Sequence, residues 1–311
     1  MYDDNVGRHR SPRRHTKLQT DVFCAKLICT AARLSSVQWA DDSIIGCGDY
    51  DGVLTEWHVE RGYPVLERDG HGGKRVLSLE YSIQQPSLCA SASDDGTIRL
   101  WAAACEQPVM AFLSPTGAPI CAARFHHTTS HMIAAACSDS NIYVFDMRRP
   151  TSPALRLAHH RRPVSNIRFL GPNHVVSASI DSTLQLWDIS SVGRPLRTFA
   201  AHRNFRNFVG LSVLQESGLL ACGSETNEAF VYDKRWAVPM LSHPVTSSPV
   251  EMLHSSSTSS SCSVSSCDSG KMVSAVCLKQ SGPDCTLLAA NSEGNVEILD
   301  GHFEELHLSQ K

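Results

Sequence analysis

An aromatic residue returns at nearly constant spacing along this chain, and this period constrains the fold more than any other feature. It lies near the end of an apolar segment in five successive modules, at Trp57, Trp101, Phe145, Trp187 and Tyr232. Successive members of the series are 44, 44, 42 and 45 residues apart. A second series keeps step with the first, at Trp39, Tyr81, Phe125, Phe169 and Val213. Such a repeat indicates an array of similar structural units.

Each module consists of short apolar segments that alternate with turn residues, as expected for β-strands. In the first module these segments are Leu34–Trp39, Ile44–Gly48, Val53–Trp57 and, at the outer edge, Tyr63–Glu67. The turn sequence Tyr50-Asp51-Gly52 separates the second segment from the third. Repeats of this length are typical of the WD-repeat β-propeller, in which each repeat forms one four-stranded blade. We therefore predict an all-β propeller with six readable modules.

The boundaries of the propeller follow from where this pattern begins and ends. We expect it over residues 22–300, with Val22–Cys29 supplying the outer strand of the last module and closing the ring. Residues 1–21 are expected to form a basic flexible tail and 301–311 a C-terminal tail. The serine-rich residues 242–270 are expected to form a disordered insertion, either phosphorylated or a plain linker. We interpret the chain as a shortened version of a seven-bladed parent.

Composition excludes several classes of function. The net charge of the 311 residues is −3, and no apolar run is long enough for a membrane span, so we predict neither nucleic-acid nor membrane partners. The 12 cysteines contain no CxxC pair, which favours free thiols in a reducing compartment over a metal or disulfide framework. The basic segment Arg8–Lys17 is either a weak nuclear-import signal or a solvated tail. We expect a location in the nucleus and cytoplasm.

The sequence contains none of the usual catalytic motifs. It has no GxSxG, HExxH or Walker motif, and no GxGxxG between a strand and a helix. We therefore predict a protein that is not an enzyme and needs no cofactor. Two sets of residues instead match a buried hydrogen-bonded network that supports a blade. They are His71, Asp95 and Trp101, and His160, Asp181 and Trp187.

A binding surface is expected where the loops of successive blades meet at one mouth of the propeller. The turns and strand starts that should reach this rim carry cations and aromatic rings. They are Arg33, Tyr50, Lys74, Arg75, Arg162, Phe205 and Phe208. Together they would accept a short extended peptide with an apolar anchor and acidic neighbours. The alternative is that Tyr50 and Phe208 simply pack within their blades.

Two further segments share a 16-residue pattern. Ile133–Arg148 and Leu220–Arg235 both end in an aromatic residue followed by aspartate and, two positions later, arginine. The pairs concerned are Asp146 with Arg148, and Asp233 with Arg235. The pattern matches the box by which WD-repeat proteins dock on the damaged-DNA-binding adaptor of cullin ubiquitin ligases. Each arginine would either fork onto a partner's carboxylate or pair with the aspartate of its own blade.

Longer stretches of the chain resemble a known family. Similarity to the propellers of the plant constitutive-photomorphogenesis ubiquitin ligase and its suppressor-of-phytochrome partners is found in Ser177–Ser190, Asn207–Trp236 and Leu287–Leu299. Other segments are most similar to the propeller-only repressors of UV-B photomorphogenesis. These segments are Ile28–Ser36, Gly48–Leu54, Glu67–Val76 and Tyr232–Trp236. The resemblance covers about Ile28 to Leu299.

This resemblance implies a negative regulator of UV-B signalling, which binds the UV-B photoreceptor and promotes its return to the inactive dimer. The implied partners are the photoreceptor and the constitutive-photomorphogenesis ligase, together with the cullin ligase adaptor in an alternative interpretation. In that alternative the chain is a substrate adaptor of the cullin ligase, or a light-signalling scaffold.

The resemblance also assigns part of the rim. In the ligase branch a cationic and aromatic rim grips Val-Pro-type peptides. Arg33 and Arg162 occupy the positions of two of its lysines, and Tyr50 and Phe208 those of a tyrosine and a phenylalanine. Leu77 stands where that branch has a tryptophan, so an apolar contact remains without the flat ring. We therefore expect the specificity or affinity to differ.

Overall fold

The computed structural model describes residues 28–103, 105–191, 193–245, 270–282 and 284–302. Within these ranges the chain forms 23 β-strands and no helix, arranged as six antiparallel sheets. The first five sheets have four strands each, and the last has three. Each sheet corresponds to one module of the sequence and is called a blade below. The predicted all-β propeller with six modules is confirmed.

The strands of each blade follow one another in chain order. Blade 1 contains β1 (Leu34–Trp39), β2 (Ile44–Asp49), β3 (Val53–His58) and β4 (Tyr63–Asp69). Blade 2 contains β5 (Val76–Tyr81), β6 (Leu88–Ser93), β7 (Thr97–Ala102) and β8 (Met110–Leu113). Blade 3 contains β9 (Ile120–Phe125), β10 (Met132–Cys137), β11 (Asn141–Asp146) and β12 (Leu155–Ala158).

The remaining blades repeat this arrangement. Blade 4 contains β13 (Val164–Phe169), β14 (His174–Ser179), β15 (Thr183–Asp188) and β16 (Arg197–Phe199). Blade 5 contains β17 (Leu211–Leu214), β18 (Leu219–Gly223), β19 (Glu228–Asp233) and β20 (Leu241–Pro244). Blade 6 contains β21 (Val273–Ser281), β22 (Asp284–Asn291) and β23 (Val296–His302).

The sequence period is also a period of strand register. In each of the first five blades the third-strand aromatic faces the second residue of the second strand. The pairs are Trp57 with Ile45, Trp101 with Cys89, Phe145 with Ile133, Trp187 with Val175 and Tyr232 with Leu220. Side chains alternate across a strand, so this common register places equivalent residues on the same face of every blade. Each blade therefore packs against the next one through equivalent positions.

The hydrophobic core lies between blades. Each of five apolar clusters joins two consecutive sheets, and the largest fully buried side chains include Trp101, Trp187 and Tyr232. Between blades 1 and 2 the packing depends on Gly46, because a Cβ at that position would collide with the side chain of Tyr81. Consecutive first strands therefore lie side by side around a common axis, with the rest of each blade extending outward.

The two ends of this stack of blades expose apolar residues. Trp39 of β1 is 57% exposed, whereas the equivalent Phe125 and Phe169 are 5% and 1% exposed. At the other end Leu288 and Val296 of blade 6 are 37% and 48% exposed. The expected closing strand Val22–Cys29 lies mostly outside the described residues, and its two described members belong to no strand.

The predicted disordered insertion 242–270 is wrong at its first residues. Ser242–Pro244 belong to β20 instead of an insertion, and Val245 is fully buried. The reason is that His243 Nε2 lies 2.8 Å from Glu297 Oε2 of blade 6, and Asn227 donates to the carbonyl oxygen of Val245. The rest of the predicted insertion, residues 246–269, lies outside the described residues, as does the basic tail 1–21. The predicted C-terminal tail 301–311 begins too early, because residues 301 and 302 belong to β23, and residues 303–311 lie outside the described residues.

Candidate peptide-binding face

The predicted rim residues lie at one end of the sheets. In an antiparallel meander the start of the first strand and the turn between the second and third strands share an end. Backbone bonds confirm this placement: Tyr50 N donates to Arg33 O at 3.0 Å, and Asp94 N donates to Arg75 O at 3.0 Å. This end of the sheets, with its loops, is called the rim below.

The first rim cluster joins blades 1 and 2. The guanidinium carbon of Arg33 lies 4.8 Å from the centre of the Tyr50 ring, and that of Arg75 lies 5.4 Å from it. Arg75 also forms an ion pair with Asp94, while Lys74 beside it is exposed. The half-buried tyrosine thus contacts two exposed cations, and the negative face of its ring attracts both of them.

The second rim cluster joins blades 4 and 5. The guanidinium carbons of Arg162 and Arg203 lie 6.0 and 5.5 Å from the centre of the Phe205 ring. Arg162 Nη1 also donates to the carbonyl oxygen of Phe205 at 3.3 Å. Phe205 and Phe208 remain 44% and 46% exposed. Phe208 is therefore not enclosed by its blade, and the exposed part of Phe205 offers an apolar surface beside two cations.

One carboxylate holds the loop that carries these two phenylalanines. Glu225 Oε1 accepts hydrogen bonds from Arg206 N at 2.7 Å and from Asn207 N at 2.9 Å. Burial opposes ionisation of Glu225, but the backbone N–H donors outweigh it and lower its pKa. The turn between β18 and β19 thus fixes the loop that precedes β17.

Leu77 occupies a β-bulge at the start of β5. The pairing register with β6 shifts between Val76 and Ser78, so Leu77 has no direct partner in the ladder. Its side chain is half-buried. Equivalent register shifts at the start of β1, β13 and β21 leave Ser35, Ser165 and Ser274 without a direct partner in the ladder. A bulge re-aims one side chain without ending the sheet.

The blade-supporting networks have the predicted membership, with one further residue in each. His71 Nδ1 lies 2.8 Å from Asp95 Oδ2, and His71 Nε2 lies 2.7 Å from Ser91 Oγ. Trp101 Nε1 donates to the same oxygen at 2.9 Å. Burial raises the pKa of Asp95, but the hydrogen bonds from His71 and from Thr97 outweigh it and lower the value to about 2.

Blade 4 repeats this network. His160 contacts Asp181 at 2.9 Å and Ser177 at 2.7 Å, and Trp187 donates to Ser177 at 2.9 Å. Both histidines are buried and fully engaged. This geometry supports a structural role for them.

The two predicted docking arginines pair with the aspartates of their own blades. Arg148 Nη2 lies 2.7 Å from Asp146 Oδ2, and Arg235 Nη2 lies 2.6 Å from Asp233 Oδ2. The bond from Arg148 lowers the pKa of Asp146. Although burial opposes it, Arg235 likewise lowers the pKa of Asp233. The within-blade alternative describes the observed contacts, and docking on an adaptor stays a prediction.

Sequence reasoning missed two residues of the rim, Arg203 and Glu225. Arg203 follows the buried His202, and Glu225 occupies the turn position that Asp94 holds in blade 2. Aligning the turns of all modules would not have found Glu225, because the other described blades have Tyr50, Asp94, Ser138, Ile180 and Ser292 at this position. The contact of Arg203 with Phe205 follows only from the folded loop.

Other kinds of site have no support in the described part of the chain. Within it, no group of three or more histidine, cysteine, aspartate or glutamate side chains could hold a metal ion. Nor does any helix there have the length and apolarity needed to cross a membrane.

Comparison with known proteins defines the class of protein first. Residues 62–102 and 152–188 match the family model of the WD domain, G-beta repeat, and these segments contain the two complete networks. A computationally designed protein, Ika8, has a similar fold, with a TM-score of 0.61, 18% identity, and coverage of 86% of this chain and 70% of its own. The chain is therefore a WD-repeat β-propeller.

Relatives then define the family. WD repeat-containing protein RUP1 of Arabidopsis thaliana is 41% identical over 88% of this chain and 69% of its own length. RUP2 of the same plant is 40% identical, over 89% and 74%. E3 ubiquitin-protein ligase COP1 is 35% identical over 87% of this chain but only 38% of its own length. The chain belongs to the repressor of UV-B photomorphogenesis family with RUP1 and RUP2.

This membership bears out the predicted role as a negative regulator of UV-B signalling. The similarity to COP1 supports the alternative of a light-signalling scaffold less well, because that alignment covers a smaller part of the relative. RUP1 and RUP2 are WD repeat-containing proteins, whereas COP1 is a ligase aligned over 38% of its length, so the absence of enzymatic activity in this chain stays a prediction.

Proposed function

We propose that this chain represses UV-B signalling without catalysis, by binding a flexible segment of the UV-B photoreceptor at the rim. The observation that carries the proposal is the pair of cation–aromatic clusters at one end of the sheets. Two guanidinium groups lie within 5.4 Å of the centre of the Tyr50 ring, and two lie within 6.0 Å of the centre of the Phe205 ring. An acidic segment with an apolar anchor would satisfy both the charges and the exposed rings.

The binding experiment uses a fluorescent Val-Pro peptide flanked by acidic residues. The double variant Tyr50→Ala/Phe208→Ala is expected to weaken binding about tenfold or more, because aromatic anchors dominate small interfaces. The matched control is Tyr63→Ala, which removes a tyrosine that is 44% exposed and contacts Arg61 outside the rim. Equal affinity of the two variants would exclude the rim as the peptide site.

We further propose that the bound regulator promotes return of the photoreceptor to its dimer by holding two monomers close. Proximity raises the rate of re-association without changing the final balance once the regulator leaves. After a UV-B pulse, dimer recovery should be faster with the chain than without it. The Tyr50→Ala/Phe208→Ala variant should restore the slow rate. If that variant still accelerates recovery, the rim does not mediate this activity.

A second candidate function is substrate delivery to a cullin ligase, through the surface around Arg235. The supporting observation is an exposed apolar patch next to this arginine, in which Trp236, Val238 and Met240 are 53%, 69% and 47% exposed. Arg148 is instead followed by the exposed Arg149. In a pull-down with the damaged-DNA-binding adaptor, Trp236→Ala should reduce capture and Arg148→Ala should not. Retained capture by Trp236→Ala/Arg235→Ala would remove this surface from consideration.

We also propose that the chain works in both nucleus and cytoplasm. The support is the basic segment Arg8–Lys17, which lies outside the described residues. A fluorescent fusion with Arg13 and Arg14 replaced by alanine should lose nuclear signal relative to the unaltered fusion. An unchanged distribution would show that this segment does not direct import.

A further inference from the structure

Three charged side chains meet around the axis of the propeller, toward the end of the inner strands opposite the rim. Glu80 of β5, Arg124 of β9 and Arg168 of β13 occupy the same position, one residue before the aromatic of the second series. Arg124 Nε and Arg168 Nη1 each lie 3.6 Å from Glu80 Oε1. The carboxylate of Glu80 thus forms ion pairs with two guanidinium groups.

Arg124 is buried without enough acceptors. Its Nη1 donates to Ser78 Oγ at 2.6 Å and to the carbonyl oxygen of Ala123 at 2.8 Å. Its Nε is buried and has no hydrogen-bond partner among the described residues. The side chain is only 10% exposed. A buried N–H donor without an acceptor is costly, so an oxygen brought to this nitrogen would be stabilised.

Arg168 brings the cluster into contact with solvent. Its Nε donates to the carbonyl oxygen of Leu211 at 3.3 Å. Its two terminal nitrogens have no acceptor within hydrogen-bond distance in the described part of the chain, since the approach to Glu80 is longer. The side chain is 32% exposed. Its planar donors are therefore open to a ligand that reaches them along the axis.

The charges of this cluster do not balance. Two guanidinium groups against one carboxylate leave an excess positive charge, which solvent screens mainly at the exposed part of Arg168. Burial and repulsion from Arg168 lower the pKa of Arg124 to about 9, against the attraction of Glu80. Burial also lowers the pKa of Arg168. One bound negative group would restore neutrality.

We propose that Arg124 and Arg168 bind a small oxyanion, a phosphate or carboxylate group, inside the channel of the propeller. A guanidinium group donates two parallel hydrogen bonds to the oxygens of such a group, a planar geometry that a lysine ammonium does not have. Arg168 provides the open donors, and the unpaired Nε of Arg124 provides a buried one. The site is separate from the rim and does not depend on the proposed photoreceptor binding.

The test is calorimetric titration of the full chain with inorganic phosphate and, separately, with acetate at constant ionic strength. We expect one site per chain, weakened about tenfold or more in Arg168→Gln, because hydrogen bonds to a charged group are lost. Arg168→Lys keeps the charge without the fork and should bind with intermediate affinity. Binding of phosphate alone would identify a phosphoryl ligand, and equal binding of acetate a carboxylate.

Two further variants make the result specific to the cluster. Arg149→Gln removes an exposed cation outside the channel and should leave binding unchanged. Glu80→Gln removes the competing carboxylate and should tighten binding. Both variants must first melt cooperatively in chloride buffer, which shows that they are folded. Equal affinity of Arg168→Gln and Arg149→Gln for the oxyanions would then overturn the proposal. So would the absence of both phosphate and acetate binding to the unaltered chain.

Discussion

Single hydroxyl groups connect the blades to the segments that precede them. Ser91 Oγ contacts both His71 and Trp101, and Ser177 Oγ contacts both His160 and Trp187. Each serine therefore satisfies two buried polar side chains at once. Because buried donors without partners are costly, such a shared oxygen contributes more than an ordinary hydrogen bond.

Ser91→Ala should test this shared contribution. Both His71 and Trp101 lose a partner, so the free energy of unfolding is expected to fall by about 2–4 kcal/mol. Ser87→Ala, at an exposed turn position in the same blade, should change it by less than about 0.5 kcal/mol. Urea denaturation of both variants gives the comparison. Similar stabilities of the two would mean that the shared oxygen contributes little.

Blade 1 lacks this oxygen. Cys47 occupies the register position of Ser91, two residues after the partner of the third-strand aromatic. Trp57 Nε1 is buried and has no hydrogen-bond partner in the described ranges. A cavity of about 410 Å³ lies beside them, with Cys29 also on its wall. The incomplete network thus coincides with a gap in the packing.

A serine at this position should repair the network. Cys47→Ser gives Trp57 an acceptor and is expected to raise the free energy of unfolding by about 1 kcal/mol. The control is Cys285→Ser, at a buried position of β22 where burial alone raises the pKa of the thiol, so the new hydroxyl meets no charged partner and should destabilise. Thermal melts of both variants measure the difference. A lower stability of Cys47→Ser would contradict the expected hydrogen bond.

At the scale of elements, the loop before β17 depends on the turn before β19. Glu225 is the only described carboxylate that accepts the backbone N–H groups of Arg206 and Asn207. Fixing this loop positions Phe205 near Arg162 of the preceding blade. The rim surface of blades 4 and 5 is therefore built by contacts between loops, outside the sheets themselves.

Glu225→Gln should loosen this loop without disturbing the sheets. The neutral amide accepts weaker hydrogen bonds than the carboxylate, so amide exchange at Arg206 and Asn207 should become about tenfold faster. Exchange within β18 should not change. Glu216→Gln, at an exposed position in the turn before β18, serves as the charge-matched control. Equal exchange rates in both variants would rule out the proposed anchor.

At the scale of the whole molecule, stability depends on a buried histidine in blade 5. His202 is 3% exposed, its Nδ1 lies 3.1 Å from Tyr232 Oη, and its Nε2 has no partner among the described residues. Burial lowers the pKa of His202 to about 4, with only a weak opposing effect from Asp181. The folded protein therefore keeps this ring neutral.

His202 makes the free energy of unfolding depend on pH. Between pH 6.5 and 4 the unfolded chain binds a proton at residue 202 that the folded chain does not, so stability falls as the pH decreases. The loss from this residue is on the order of 3 kcal/mol. Asp95, with its lowered pKa, adds a separate loss below pH 4. Urea denaturation at pH 7, 5 and 4 should show the first effect.

Variants assign this pH dependence to His202. His202→Gln should lose markedly less stability between pH 7 and 4 than the unaltered chain. His131→Gln, in a turn of blade 3, should behave like the unaltered chain. An identical pH profile for His202→Gln would show that another group is responsible.

The repeat of the sequence was enough to predict the sheets. Leu34–Trp39 coincides with β1, and the predicted second and third strands end one residue before β2 and β3 do. Inner strands are predictable because burial on both faces leaves a continuous apolar pattern. The outer strand β20 was missed because its residues are polar and are held by contacts with Asn227 and blade 6.

The candidate site was only partly predictable. Arg33, Tyr50 and Arg162 stand next to strand starts or turns, so their rim position follows from topology. The pairing of rings with cations does not follow from topology. Arg75, which precedes blade 2, contacts the Tyr50 ring of blade 1 together with Arg33. The cluster of Glu80 with two arginines was also missed, because charges of different modules meet only when the sheets assemble around the axis.

The bulge at Leu77 separates the backbone pairing of a strand from the choice of side chain at the rim. Its neighbours Val76 and Ser78 keep the ladder with β6, while the residue between them has no place in that ladder. Substitutions at this one position are therefore free to alter the chemistry at the mouth of the propeller while strand pairing stays intact. Related propellers can acquire new preferences here at little cost to folding, and an engineer seeking to redirect binding should begin at this residue.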